Sequence, residues 1–443
     1  MVTKKAMRRP PPQVVHGLLA ILATLALRSR SPLIQDAGSY FASSRSLAAV
    51  ESLYGSGSLP LFRGVYSAVP FAPAAALERW WGVNPRVGIL VTNALLIGAL
   101  AGWLLPGLAS DCGLRPRIWS RLLVTGLVVA LLGPFASQSL MEIPAMVVLL
   151  LTARWAVAGG VLGDRRLLLG TGVFGVVVAN VRPALGLAVG AAWAIALLSR
   201  TRIRYLATGA VLAALGQSVA NLAAGYAPLP IPPQALVVAK LQSVSASVTV
   251  VYETPVVGNA IFYCDPAMAH FVEGDPQSSP MSAVVFGVRK LAASLLWTPE
   301  LPFAPTWGVV GLGWAALTTL VTVSGLALLA ARLGIGIGVR GRAAANARAT
   351  WTARALWLLV AATVAVLVAS TPERRFAMPL VLVSLIGLLG AGGSTRGTAR
   401  RRQLIVLAGA AALTAVSVLV GLQGYEHPSP VPQPSSRVCA GLG

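Results

Sequence analysis

Apolar residues in this chain come in long unbroken runs, and polar residues collect in the gaps between them. Eleven runs approach or exceed the length needed to cross a bilayer, at about 14–34, 87–106, 119–135, 143–162, 167–181, 184–199, 205–224, 306–332, 351–370, 376–393 and 403–422. One aqueous core has no use for so many. The pattern therefore predicts an all-α polytopic membrane protein with about 11 transmembrane helices, because a helix satisfies its own backbone donors and acceptors within hydrocarbon. Between the fifth and sixth runs, "NVRP" interrupts an otherwise apolar stretch. Arg-Pro adds a charge and removes a backbone donor, so two short helices meeting at Arg182 are expected there.

Two connections are long, 35–86 and 225–305. In the first, "DAGSYFASSRSLAAVESLYG" sets Tyr40, Phe41, Ser44, Leu47, Ala48 and Glu51 at helical spacing, which predicts a helix with a partly apolar face suited to lie along the bilayer surface. A further short helix ends in the Trp80 and Trp81 pair, as interfacial segments often do. In the second connection, "SSPMSAVVFGVRKLAASLLW" offers Ser279 as cap, Pro280 at the first helical position, and Met281, Val284, Val285, Val288, Leu291 and Leu295 on one stripe, predicting an amphipathic helix. No internal repeat is evident, which disfavours transporter folds built from inverted halves.

Of the 443 residues, 56% are apolar and only 11% charged, yet the formal charge is +22. Such a balance raises nucleic acid as a partner, and the placement of the charges argues against it. With the amino terminus in the cytoplasm, the majority of the 35 Lys and Arg fall on cytoplasmic segments and their flanks, where Asp111 and Asp164 are the acids. That is the positive-inside pattern, and no cytoplasmic segment is long enough to build a basic nucleic-acid-binding face.

The organisation expected is a basic cytoplasmic tail at 1–13, a transmembrane core at 14–224 with its first outer loop at 35–86, an extracytoplasmic segment at 225–305, further transmembrane helices at 306–424, and an extracytoplasmic Pro- and Ser-rich tail at 425–443. A multi-pass protein of the cell membrane follows. The first run leads into "RSRSPLIQDAG" without a small-residue cleavage site, so no cleavable signal peptide is expected. Cys112, Cys264 and Cys439 have no metal-ligand spacing; Cys264 and Cys439 share the outer side and either pair or stay free. The cytoplasmic loops are too short for a nucleotide-binding domain, and no phosphate-cradling glycine pattern appears in a strand-to-helix context.

Charged residues near the outer ends of the runs are the candidates for chemistry. Asp36 opens the first outer helix, as a cap for orphan backbone donors or as a proton acceptor. Glu142, in "SQSLMEIPAMVVLL", either complements a helix amino terminus or lines a cavity. Arg182 needs an anion, a cavity or the interface, and Arg154 raises the same question, with snorkelling as its simple answer. In "STPERRFAMP", Arg374 and Arg375 run against the topological charge bias, which asks for phosphate binding or lipid headgroups as a reason. Tyr252 and Glu253, in "VVYETPV", belong to a substrate-facing or a plain solvated loop, and Asp265 with His270 makes a weak metal motif better explained as turn chemistry.

Acids and arginines beside a membrane suit an activated substrate carried by lipid. A polyprenyl-phosphate sugar keeps its tail in the bilayer, its phosphate needs cations, and the acceptor hydroxyl needs a base. The departing phosphate is a weak base and needs no general acid, so one carboxylate suffices.

Four stretches, "QDAGSYFASSRSLA", "SQSLMEIPAMVVLLLTARWAV", "GVFGVVVANVRPALGLAVGAAWAIALL" and "ERRFAMPLVLV", appear in this order. Together the chain resembles the multi-spanning GT-C glycosyltransferases that use dolichyl- or polyprenyl-phosphate sugars, mannosyltransferases among them. The resemblance covers most of 14–199 and the late turn, and implies a GT-C-like fold. It implies Asp36 as base, Arg182 with Arg374 or Arg375 near the donor phosphate, and Glu142 in the cavity, to which Tyr40, Arg63, Tyr66, Tyr252 and Glu253 are also assigned. "DAG" stands where many members have two adjacent acids, so no cofactor is called for and a divalent cation stays open; Phe376 stands where an aromatic hydroxyl is common. The implied partners are a polyprenyl-phosphate-linked sugar, a glycan, lipid or protein acceptor, and the lipid bilayer.

Two other readings compete. A transporter or flippase needs a polar path through the spans, where midspan carboxylates are missing. An enzyme of the O-antigen ligase or polymerase type rests on a late outer loop with Arg and His, whereas His270 is the single His of its loop.

Overall fold

The computed structural model describes residues 11–27, 36–48, 63–198, 203–233, 235, 252–256, 259–263, 279–292, 309–333, 347–369 and 374–390, with 408, 409, 411, 412 and 415. Helices occupy ten of the eleven apolar runs; the last run lies almost wholly outside the described residues. In chain order they begin with α1 (Pro12–Ala26), then α2 (Asp36–Ala48), α3 (Val65–Ala68) and α4 (Ala72–Trp81) of the first long connection. Next come α5 (Pro85–Ala99), continuing through a π-helical turn at Leu100–Leu104 into α6 (Leu105–Asp111), then α7 (Ile118–Leu132) and α8 (Glu142–Leu162). They are followed by α9 (Arg165–Val181), α10 (Gly186–Leu198) and α11 (Ile203–Ala223). The second long connection holds β1 (Tyr252–Val256), β2 (Asn259–Tyr263) and α12 (Pro280–Ala292), before α13 (Val309–Leu333), α14 (Ala347–Ala369) and α15 (Met378–Gly390).

Among the described residues six stretches are long and apolar enough to cross a membrane: Pro85–Asp111, Ile118–Phe135, Glu142–Leu162, Ile203–Ala223, Ala316–Leu333 and Ala347–Val368. Shorter apolar helices stand at Pro12–Ala26, Pro183–Leu197 and Met378–Gly390. The protein is thus a helical, multi-pass membrane protein, and among the described residues its strands are those of the antiparallel β1–β2 hairpin, Glu253 opposite Phe262.

Successive long helices run antiparallel, so their connections alternate between two ends of the bundle. One end, called here the Arg182 end, gathers the starts of α2 and α8, the turn at Arg182 and a 3-10 turn at Arg374–Ala377. The other, the Asp111 end, carries the α8–α9 turn, the start of α14 and the end of α15, where Ser120 Oγ donates to the Leu389 carbonyl at 3.2 Å.

Because lipid is as apolar as leucine, helices here gain little by burying leucine and associate through close backbone approach. At the α9–α11 crossing a Cβ on Gly172 would strike the Leu206 carbonyl oxygen, and one on Gly209 the Leu169 carbonyl oxygen. Gly325 of α13 and Gly387 of α15 form a second such contact. The lipid-facing sides remain apolar, as with Leu212, Leu215 and Val219 of α11.

One expectation is corrected. The face of α2 carrying Tyr40, Phe41 and Ser44 does not lie along a bilayer; it is buried on protein. Ser44 Oγ donates to the Ala68 carbonyl at 2.8 Å, and Arg45 forks onto Glu78 of α4 at 2.8 and 2.6 Å. The stripe includes a serine that finds an acceptor on the next helix, so α2, α3 and α4 form a cap over the Arg182 end. The amphipathic helix is present as α12, beginning at Pro280. It docks on α14 through Gly287 against Val368 and through Leu291, leaving Met281, Val284, Val285 and Val288 exposed.

Candidate functional site

The site is built where α8 begins. The segment ahead of it, Ala136 to Met141, is buried and held by side chains. Asn93 Nδ2 of α5 donates to the carbonyls of Ala136 and Gln138, both at 2.9 Å, and Ser139 Oγ donates to the Ala37 carbonyl in α2 at 2.6 Å. Glu142 is the first residue of α8, and Pro144 falls in the first turn, where a missing N–H costs no intrahelical bond. A carboxylate there complements the positive end of the helix.

Arg182 is placed by the proline after it. Pro183 disfavours the helical conformation at its predecessor, and Arg182 accordingly leaves the helix at φ −142° and ψ 86°. Its N–H still reaches the Val178 carbonyl at 2.8 Å, and a 3-10 turn at Pro183–Leu185 redirects the chain into α10. The two short helices meeting at Arg182 are therefore present.

Arg182 Nη2 donates to Glu142 Oε1 at 2.6 Å, with side chains 12% and 2% exposed, so the pair is screened little by water. The guanidinium stacks on the Phe376 ring, 5.2 Å from its centroid. Around them Met146, Leu185, Ala188, Ala362 and Val366 form an apolar pocket with room for roughly one water molecule. A guanidinium carries five N–H groups, so the Glu142 contact leaves donors for a second anion. The lining is thus charged at one end and apolar at the other.

The remaining candidates sort by position. Asp36 is the first residue of α2, and its neighbour Ala37 is tied to Ser139, three residues before Glu142. Arg374 and Arg375 open the 3-10 turn that delivers Phe376 to the pocket. Asp36, Glu142, Arg182, Arg374 and Arg375 thus come to one end of the bundle. The side chains of Asp36, Arg374, Arg375, Tyr252 and Glu253 lie outside the described residues, as do Asp265 and His270 altogether. Tyr40 sits one helical turn after Asp36, buried, with the Arg63 guanidinium over its ring at 4.4 Å. Tyr66 is engaged elsewhere: its hydroxyl donates to the Ala213 carbonyl of α11 at 2.6 Å, and burial pushes the phenol above its ordinary pKa.

Arg154 does more than snorkel. Its Nε donates to Asp111 Oδ2 at 2.8 Å, and Arg348 Nη2 reaches Asp111 Oδ1 at 3.0 Å. Trp103, Gly107 and Asp111 are each four residues apart and share one face of the α5–α6 rod. Arg154 lies along that face, its guanidinium 5.4 Å from the Trp103 ring centroid and occupying the space that a side chain at Gly107 would need. The Trp-x3-Gly-x3-Asp spacing is readable in the sequence, but nothing there pairs it with an arginine about three turns into another run.

Among the described residues no three of His, Cys, Asp and Glu are grouped so as to hold a metal ion. Compared with protein-family models, with curated proteins and with solved structures, the chain finds no match in any of the three.

Proposed function

We propose that this protein is a glycosyltransferase of GT-C type, moving a sugar from a polyprenyl-phosphate donor to an acceptor hydroxyl at the Arg182 end, which faces away from the cytoplasm. The observation that carries the reading is the buried Glu142–Arg182 pair in an apolar pocket. It leaves guanidinium donors beside a small apolar pocket, at the end of the bundle where Asp36, Arg374 and Arg375 also lie, which supports a cation site for the donor phosphate. The orientation is supported by charge: Arg115, Arg117, Arg121, Arg165, Arg166, Arg204 and Arg348 surround the Asp111 end. Eleven crossings then return the chain to the extracytoplasmic side.

In this mechanism the Asp36 carboxylate takes the proton of the acceptor hydroxyl. The oxygen attacks the anomeric carbon as the bond from that carbon to the phosphate oxygen breaks, and polyprenyl phosphate leaves with the electron pair against arginine. One displacement inverts the anomeric carbon. Arg182 and the Arg374–Arg375 turn hold phosphate, and Glu142 holds Arg182 in place before donor arrives.

The test uses full-length protein in lipid nanodiscs, supplied with a panel of polyprenyl-phosphate sugars and candidate acceptors, with product read by mass spectrometry. Transfer that is lost in Asp36→Asn and weakened in donor affinity in Arg182→Gln is the expected result. Substrate flux in proteoliposomes with no transfer product overturns the enzyme reading in favour of transport.

A further inference from the structure

The second long connection leaves an apolar face uncovered. Along α12, Met281, Val284, Val285 and Val288 recur at helical spacing on one arc, and they are between 43% and 71% exposed. Large apolar side chains scattered singly over a surface need no explanation, but four on one contiguous arc do. By the same spacing, Arg289 and Lys290 fall off that arc.

What covers the arc follows from where α12 is fixed. Gly287 packs on Val368, so closely that a Cβ on the glycine would strike it. Leu291, one turn on, joins Val364 and Phe376 around Leu367, Ala377 and Leu380. Val368 is the last residue of the membrane-length stretch Ala347–Val368, which sets this contact at the edge of the hydrocarbon zone, at the Arg182 end. Val368 also continues a stripe of α14: Ala365 and Ala361 lie one and two turns earlier on the same face, and both are exposed. The exposed side of a spanning helix is the side that lipid wets, so α12 is seated where the lipid-facing side of α14 reaches the headgroups. It is too short to cross, since its 13 residues make about 20 Å of helix against a hydrocarbon core of about 30 Å. A short helix at that level, with an open apolar arc and basic residues off it, has the pattern of one that lies in the interface plane.

We infer that α12 is an interfacial helix whose Met281, Val284, Val285 and Val288 insert into the leaflet at the Arg182 end, with the lipid surface as their partner. The lipid boundary of α14 continues onto this arc, and that continuity makes the occupant lipid. This inference does not rest on the glycosyltransferase reading.

The experiment uses full-length protein carrying Cys264→Ser and Cys439→Ser, with buried Cys112 left in place. Val284→Cys, Val288→Cys and Lys290→Cys are introduced singly, labelled with the fluorophore NBD and placed in phosphatidylcholine nanodiscs. Quenching by lipid brominated on its acyl chains is compared with quenching by aqueous iodide. Leu212→Cys, on the exposed side of the spanning helix α11, calibrates the response to lipid. Labels at 284 and 288 should lose most of their fluorescence to the brominated chains, as the label at 212 does, and little to iodide. The label at 290 should show the reverse order. The positions at 284 and 288 are exposed, so these substitutions leave the packing of Gly287 and Leu291 intact. Quenching of 284 and 288 by iodide alone puts the arc in water and overturns the inference. Protection from both quenchers puts it under protein, either the 403–422 run or a second copy of the chain, and overturns it as well.

Discussion

Replacing Glu142 by Gln removes one charge from a pair that water barely reaches. With charge centres about 4 Å apart and an effective dielectric near 20, the attraction lost is about 4 kcal/mol. That agrees with the ~3–5 kcal/mol typical of breaking a buried pair at one partner, where the remaining charge stays desolvated. Arg182 is 12% exposed and Glu142 2%, so the full range applies with little discount for solvent. Replacing both, Glu142→Leu with Arg182→Met, removes the two desolvation penalties along with the attraction and should cost far less than the two single changes added together. The assay is reversible chemical unfolding in mixed micelles of the parent, both singles and the double. A coupling of about 3 kcal/mol is expected. Additivity within ~0.5 kcal/mol would refute the claim that the pair is an unscreened contact. The Glu142→Gln protein also leaves Arg182 without its counter-ion, so pyrophosphate should stabilise it more than it stabilises the parent.

Four further outcomes are expected. Asp36→Asn should lower transfer by about 10²–10⁴-fold with an unchanged unfolding midpoint, measured by product mass spectrometry. Arg374→Gln and Arg375→Gln should each raise the donor KM, by about tenfold where the lost hydrogen bond is charge-assisted, and leave the acceptor KM unchanged. Gly209→Leu drives a side chain into the Leu169 carbonyl, and unfolding should show a loss of at least ~1–3 kcal/mol or a failure of α9 and α11 to associate. Cys112 is buried beside Asp111, and both burial and that charge push its thiol up. In a variant lacking the other two cysteines, maleimide at pH 8 should therefore modify it after unfolding and not before, as read by intact mass.

Much of the helical framework is legible because hydrocarbon imposes a long, unmistakable period: nine apolar runs are helices within about five residues of their expected bounds, and the tenth, 14–34, holds a shorter helix, Pro12–Ala26. The Arg182 break was legible for an equally local reason, since Pro183 acts on its own predecessor. What could not be read was partnership. Nothing in "SQSLMEIP" and "NVRP" says that Glu142 meets Arg182, because forty residues and a helical turnaround separate them. The partner of the α2 face is equally hidden, because Tyr40, Phe41 and Ser44 look alike to a bilayer and to a neighbouring helix, and Ala68, which accepts the Ser44 hydrogen bond, lies beyond a stretch with no periodic signal. For Arg154 the sequence leaves an anion and the interface both open, because its acid, Asp111, comes from another helix.

The pocket draws its walls from two distant parts of the chain: Glu142, Met146 and Arg182 to Ala188 on one side, Ala362 to Phe376 on the other. During synthesis the first wall enters the membrane long before the second has left the ribosome. Until the late helices arrive there is no enclosure, and a nascent or truncated chain holds the Glu142–Arg182 pair in a cleft open to lipid. The pocket is therefore completed only at the end of assembly, and incomplete molecules should lack it altogether.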